Sequence, residues 1–158
     1  MWTYRLARQQ HVASSLDGEG ARLWGGRWNV PGHRLVYLAD HPATAILETL
    51  VHLTDPTLMP TDYVLLTVDV PDATVIVADR IDPDTLPPDW REGSSVACQR
   101  AGHAWLDGVA HAAACWAPSA VVPGASNLLL DPEHAGAGAV RVIARQPFIF
   151  DPRLLVQK

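Results

Sequence analysis

The sequence predicts an α+β fold, and three observations carry that prediction. Short runs of branched and aromatic residues recur between turn signals, two segments show clear helical periodicity, and strands and helices do not alternate as a doubly wound sheet requires. Several strands and two clear helices without regular alternation are an α+β layout.

Residues 2–6, Trp-Thr-Tyr-Arg-Leu, alternate bulky and polar side chains and read as an opening strand; with Tyr4 and Leu6 toward the core, Arg5 faces away from them. Residues 13–34 hold Gly18, Gly20, Gly25, Gly26, Pro31 and Gly32 without periodicity and read as a long loop or a set of tight turns. A loop of that length in a compact domain points to function, the more so with Trp24 and Trp28 embedded in it. Residues 35–39 form a buried strand, after which Asp40-His41-Pro42 starts a helix with Asp40 or His41 as cap and proline in the first turn. The helix is expected to run to about Leu53. Its wheel centres the apolar face on Ile46, Leu50 and Leu53, widened by Leu47 and Val51, and puts Glu48 and His52 just past one border.

Residues 63–70 and 74–78 are rich in branched side chains and read as strands separated by a turn at Pro71-Asp72; residues 79–93 are turn-prone and acidic. Ser94 or Ser95 caps a helix from about Val96 to Leu106, which Gly108 ends. Residues 112–122, interrupted by Pro118, form two short strands or one with a bend, and residues 127–132 a buried strand leading into a turn. Residues 140–143 and 147–150 are the last strands, and Asp151-Pro152-Arg153-Leu154-Leu155 closes the chain. No repeat, linker or low-complexity tract divides these elements, so one domain is expected.

Composition narrows the function classes. With 48% hydrophobic and 18% charged residues the chain is an ordinary globular sequence, and no apolar run nears the roughly 20 residues that span a bilayer. The first residues show no charged-then-apolar signal pattern, so a cytoplasmic location is expected. A net charge of -5 argues against direct nucleic-acid binding, which normally needs a basic footprint. Cys98 and Cys115 lack any CxxC spacing and read as buried thiols. Six tryptophans exceed the needs of a small core, so exposed ones mark an interface or a ligand wall.

Familiar motifs are absent: there is no GxxxxGK[ST], no GxGxxG opening a helix, no GxSxG elbow and no HExxH. Glu48 and His52 form a two-ligand fragment at helical spacing, short of a zinc site. More informative is an ordered trio: Arg27 after Gly25-Gly26, Tyr37 on the next strand and Glu48 on the next helix. Glycines permit close backbone approach and can aim an arginine at a phosphate or a diol. Taken singly, the three are also accounted for by a loop arginine, a half-buried aromatic and a solvated helix glutamate.

Together with their neighbours they resemble a family. Tyr4-Arg5, Gly25-Gly26-Arg27-Trp28-Asn29, Val36-Tyr37-Leu38-Ala39, Leu47-Glu48-x-x-Val51-His52-Leu53, Ala117-Pro118-Ser119-Ala120, Asn127-Leu128-Leu129-Leu130-Asp131-Pro132-x-His134 and Phe150-Asp151-x-Arg153-Leu154, in that order over residues 4–155, resemble the RES domain. Its naming arginine, glutamate and serine would here be Arg27 or Arg5, Glu48 and Ser119. The resemblance implies a core similar to ADP-ribosyltransferases, with a mixed, mainly antiparallel β core and a few helices. It also implies a toxin of a bacterial toxin-antitoxin pair acting on NAD as substrate, by hydrolysis, phosphorolysis or ADP-ribosyl transfer to a protein, with no metal.

The implied partner is a helix-turn-helix (Xre-like) antitoxin that covers the cleft, in a complex that can be oligomeric. By the same resemblance Glu48 stabilises an oxocarbenium-like ribose, Tyr37 borders the nicotinamide, Arg27 and Arg5 hold phosphate or ribose, and Ser119 and Asn127 orient Glu48 or the substrate. His52 is expected to pack. Two other classes compete: a non-catalytic dinucleotide- or partner-binding module, and a metal hydrolase built on Glu48 and His52.

Overall fold

The structure is a computed structural model that describes residues 1–53, 61–92 and 96–154. Strands β1 (Trp2–Arg8), β2 (Val36–Ala39), β3 (Tyr63–Asp69), β4 (Asp79–Arg80), β5 (Ala114–Pro118), β6 (Ser126–Leu130) and β7 (Arg141–Phe148) join in one sheet in the order β4-β5-β6-β2-β1-β3-β7. Every ladder is antiparallel except β4 with β5. Helices α1 (Glu19–Trp24), α2 (Pro42–Leu50), α3 (Asp72–Ile76) and α4 (Val96–Leu106) flank it. The α+β expectation, with a mainly antiparallel sheet and few helices, holds.

The central strands are covered on both faces. Side chains alternate: Val36 and Leu38, Ala114 and Trp116, Leu128 and Leu130 enter one apolar cluster, while Leu35, Cys115, Ala117 and Leu129 enter another. That is why residues 128–130 read as an unbroken apolar run rather than an alternating one. The second cluster joins the sheet to α4 through Cys98 and Trp105 and to the loop before β2 through Trp28. A third gathers Leu6, Tyr63 and Phe150 with Ile46 and Leu50 of α2 and the following Leu53.

Several sequence expectations are corrected. Residues 74–78 are not a strand: α3 occupies 72–76, with Pro71 at its N-cap and Asp72 in its first turn, where a carboxylate is favoured. Asp72 Oδ1 also accepts from the Met1 ammonium at 3.0 Å, and Ile76 and Val77 are left exposed, so the branched run does not pack as a strand. Within residues 13–34, α1 forms a short helix that the lack of periodicity concealed.

Helix α2 begins at the expected cap, His41 Nδ1 accepting from Ala43 N–H, but ends at Leu50. His52 and Leu53 then donate to the carbonyls of Thr49 and Leu50, three residues back, which tightens the last turn. Residues 112–122 hold one strand that stops at Pro118. Residues 140–150 hold one strand rather than two; Pro147 is tolerated because β7 is an edge strand. The expected caps Ser94 and Ser95, and Leu155, lie outside the described residues.

Candidate active site

Glu48 is placed by what precedes it and what faces it. Asp40 lies at the junction of β2 and α2; one of its carboxylate oxygens accepts from Ser126 N–H at 2.7 Å and the other from Thr44 at 3.2 Å, tying the start of α2 to the start of β6. Two turns on, Glu48 projects toward the ends of β5 and β6. Ser119 donates to Glu48 Oε1 at 2.6 Å and Asn127 Nδ2 donates to the same oxygen at 3.0 Å. Ser119 is fully buried, and its Oγ accepts from the N–H groups of Val121 and Val122 at 3.2 and 2.9 Å. Both hydroxyl lone pairs are thereby used, so its proton is directed at the carboxylate. Among the described residues Glu48 Oε2 receives no donor, which leaves one oxygen of a clamped carboxylate for a ligand.

Arg5 lies across the gap between β1 and β2. Those strands share the single register pair Tyr4 with Ala39 and then part. Arg5 Nη1 bridges the opening to the Tyr37 carbonyl at 2.9 Å, while its buried Nε has no partner among the described residues. Burial lowers the basicity of this guanidinium, and the negative charge of Asp17 acts in the opposite direction. A desolvated cation with an unused donor is costly unless an anion completes it.

Tyr37 and the glycine turn form a knot. The Tyr37 hydroxyl donates to Asn29 Oδ1 at 2.7 Å and accepts from Trp28 N–H at 3.1 Å; burial pushes its pKa well above the ordinary phenol range, so it stays protonated. Asn29 is fully buried and spends its amide on the carbonyls of Ala21 and Val30. Of the two glycines before Arg27, Gly25 has a positive φ of 70° and ends α1. Gly26 is small for another reason: a Cβ there would sit 2.5 Å from the Tyr37 hydroxyl. Arg27 donates to the carbonyls of Trp90 at 2.7 Å and Arg91 at 3.5 Å, both neutral acceptors, so its charge is held in place without being neutralised by them.

Arg5, Arg27, Tyr37, Glu48 and Asn127 line one cleft of about 1190 Å³; Ser119 stands just behind Glu48. The sequence-derived residues are therefore together. His52 departs from expectation, being exposed on the cleft wall rather than packed. Sequence reasoning passed over Asn29 as a site residue, although it stands in the same Gly-Gly-Arg-Trp-Asn run, and over Asp40, whose role depends on a partner 86 residues away. Trp24, 84% exposed, also lines this cleft.

The fold and the cleft define an α+β protein with one clamped carboxylate and two arginines lining the same cleft. The RES domain model matches residues 3–151, and the chain belongs to that family. It is 38% identical over 160 residues to the protein named Toxin Res of Photorhabdus laumondii, covering 100% of this chain and 99% of that one. It is 33% identical to the Prs ADP-ribosylating toxin of a Sphingobium strain, covering 98% of this chain and 95% of that one. The toxin-antitoxin complex MbcT-MbcA of M. tuberculosis contains a chain of the same fold, with a TM-score of 0.71 and 26% identity over 97% of this chain and 85% of that one. The protein is a toxin of the RES type.

Proposed function

We propose that the cleft binds NAD and breaks the bond between nicotinamide and ribose. The observation that carries this reading is the carboxylate of Glu48, clamped on one oxygen by Ser119 and Asn127 and, among the described residues, open on the other, in the same cleft as Arg5, whose Nε has no partner among those residues. Nicotinamide leaves with the bonding electron pair, and the ribose becomes oxocarbenium-like. Glu48 Oε2 accepts from a ribose hydroxyl, and its charge stabilises the developing cation without reorganisation, because Oε1 is already held. Arg5 and Arg27 supply guanidinium donors for the pyrophosphate, and the Tyr37 ring limits where nicotinamide sits. An oxygen nucleophile then bonds to the anomeric carbon and gives up its proton: water for hydrolysis, phosphate for phosphorolysis.

A second acceptor is favoured by the relative named as an ADP-ribosylating toxin, in which case a protein side chain replaces water. The neighbouring complex supports an antitoxin as partner, and we propose a helix-turn-helix antitoxin that covers this cleft in the cytoplasm. Purified chain incubated with NAD, with and without phosphate and with cell lysate, followed by mass identification of products, distinguishes the acceptors. Glu48→Gln is expected to abolish NAD loss with the fold intact. Undiminished turnover by that variant refutes the role of Glu48, and NAD binding without cleavage by the wild type returns the site to a binding module.

A further inference from the structure

A second cluster lies on the outer side of the glycine loop. His33, on the loop between Gly32 and β2, faces His103 of α4, the rings meeting edge to face with centroids 4.8 Å apart. Asp107 follows His103 by one helical turn, its N–H bonded to the His103 carbonyl at 2.8 Å, so both side chains share one face. One ligand atom from each of His33, His103 and Asp107 lies within 4.8 Å of the other two. We propose that these three residues bind a divalent d-block cation of the zinc type, and that the ion fastens the loop carrying Arg27 to α4.

The chemistry of the donors selects the class of ion. Two neutral imidazoles and one carboxylate suit borderline metals and not magnesium or calcium, which prefer oxygen throughout. Around a tetrahedral zinc with bonds of about 2.0–2.1 Å, ligand atoms stand about 3.4 Å apart, so the trio must draw in by little more than about 1 Å. His33 and Asp107 are exposed and free to rotate that far. His103 holds its place less freely. The Val30 N–H reaches its Nε2 at 3.4 Å, a long and weak contact that a metal bond outweighs.

The backbone beneath is already fixed. Gly102, next to His103, lies so close to Trp28 that a Cβ would come within 1.8 Å of the Trp28 carbonyl oxygen, and Gln99 of α4 donates to the Gly26 carbonyl at 3.3 Å. Helix and loop are therefore held in register next to the cluster before any ion arrives, which lowers the ordering cost of assembling ligands from a loop and a helix. A cation here leaves Glu48 and the cleft donors untouched and stiffens the segment from Gly25 to His33. The inference stands whatever the cleft acts on.

The test uses tag-free full chain freed of metal by chelator, titrated with zinc by calorimetry and, in parallel, with cobalt(II), whose visible absorption reports coordination. One equivalent is expected to bind. His33→Gln and Asp107→Asn, both at exposed positions, are each expected to weaken binding at least about tenfold, while His111→Gln leaves it unchanged. At about a hundredfold excess over Kd, zinc is expected to raise the wild-type Tm by about 5 °C or more and to leave His33→Gln unmoved. Absence of saturable binding by the wild type, binding insensitive to both His33→Gln and Asp107→Asn, or binding lost in His111→Gln overturns the proposal.

Discussion

Gly102→Ala tests whether α4 is held against the glycine loop by direct backbone contact. The added Cβ would lie 1.8 Å from the Trp28 carbonyl oxygen and 2.8 Å from its carbon, against an ordinary contact of 3.4 Å or more. Helix and loop must therefore separate by about 1.6 Å, or the helix must turn about its axis. Neither is cheap, because α4 is committed on both sides by buried Cys98 and Trp105, and Trp28 is itself 1% exposed. Overpacking of this kind costs about 1–3 kcal/mol and more where nothing yields, and the better helix propensity of alanine returns at most about 1 kcal/mol.

The net expectation is a loss of about 2–4 kcal/mol, a Tm lower by roughly 5–15 °C in a chain of this size. Gly20→Ala is the control. It lies in α1 with nothing within 4 Å of the new methyl group, so the same substitution should stabilise by about 0.5–1 kcal/mol. Thermal melts followed by circular dichroism read both. A Gly102→Ala protein that melts within about 2 °C of wild type, or that shifts in the same direction as Gly20→Ala, refutes the close-contact reasoning.

Ser119→Ala removes the donor at 2.6 Å from Glu48 Oε1; kcat for NAD loss should fall about 10–100-fold with KM little changed, and an unchanged kcat in steady-state assays dismisses the clamp. Arg5→Met should weaken dinucleotide affinity at least about tenfold in titrations while leaving Tm unchanged or higher, since the buried guanidinium with its unpartnered Nε is replaced by an apolar side chain; a large drop in Tm with affinity intact argues the reverse. The hydrogen bond that Asp131 Oδ2 accepts from His111 Nε2 at 3.0 Å raises the His111 pKa above the unfolded value of about 6.5. Its contribution of about 1 kcal/mol is fully present below that pH and is lost as pH rises through the folded pKa. Urea midpoints from pH 5.5 to 8.5 should therefore show wild type exceeding Asp131→Asn most at the acid end, and a constant difference across that range removes the pair from the account.

What could be read from the residues was local. Alternation marked β1, short apolar runs marked β2 and β6 as buried strands, and the Asp40-His41-Pro42 cap marked the start of α2, because each rests on interactions within a few residues. Local signals also misled. The branched run at 74–78 has strand propensity, yet a proline N-cap and an acidic first turn bend it into α3, and α1 carries too few turns to show a period. Resemblance supplied the order of Arg27, Tyr37, Glu48, Ser119 and Asn127 without their geometry.

That geometry belongs to tertiary structure. Ser119 and Asn127 reach Glu48 from 71 and 79 residues away, through a register in which Ala39 pairs with Asn127 and Ala117 with the same residue from the other side. The Gly102 contact and the meeting of His33 with His103 likewise depend on where α4 is laid. The sequence by itself determined the fold class, the family and the residues available for chemistry, because propensity, capping and pattern act between neighbours along the chain. Only the folded structure decided that one oxygen of Glu48 is held by Ser119 and Asn127, and that Arg5 bridges parted strands, because those outcomes depend on strand register and helix placement set by the whole core.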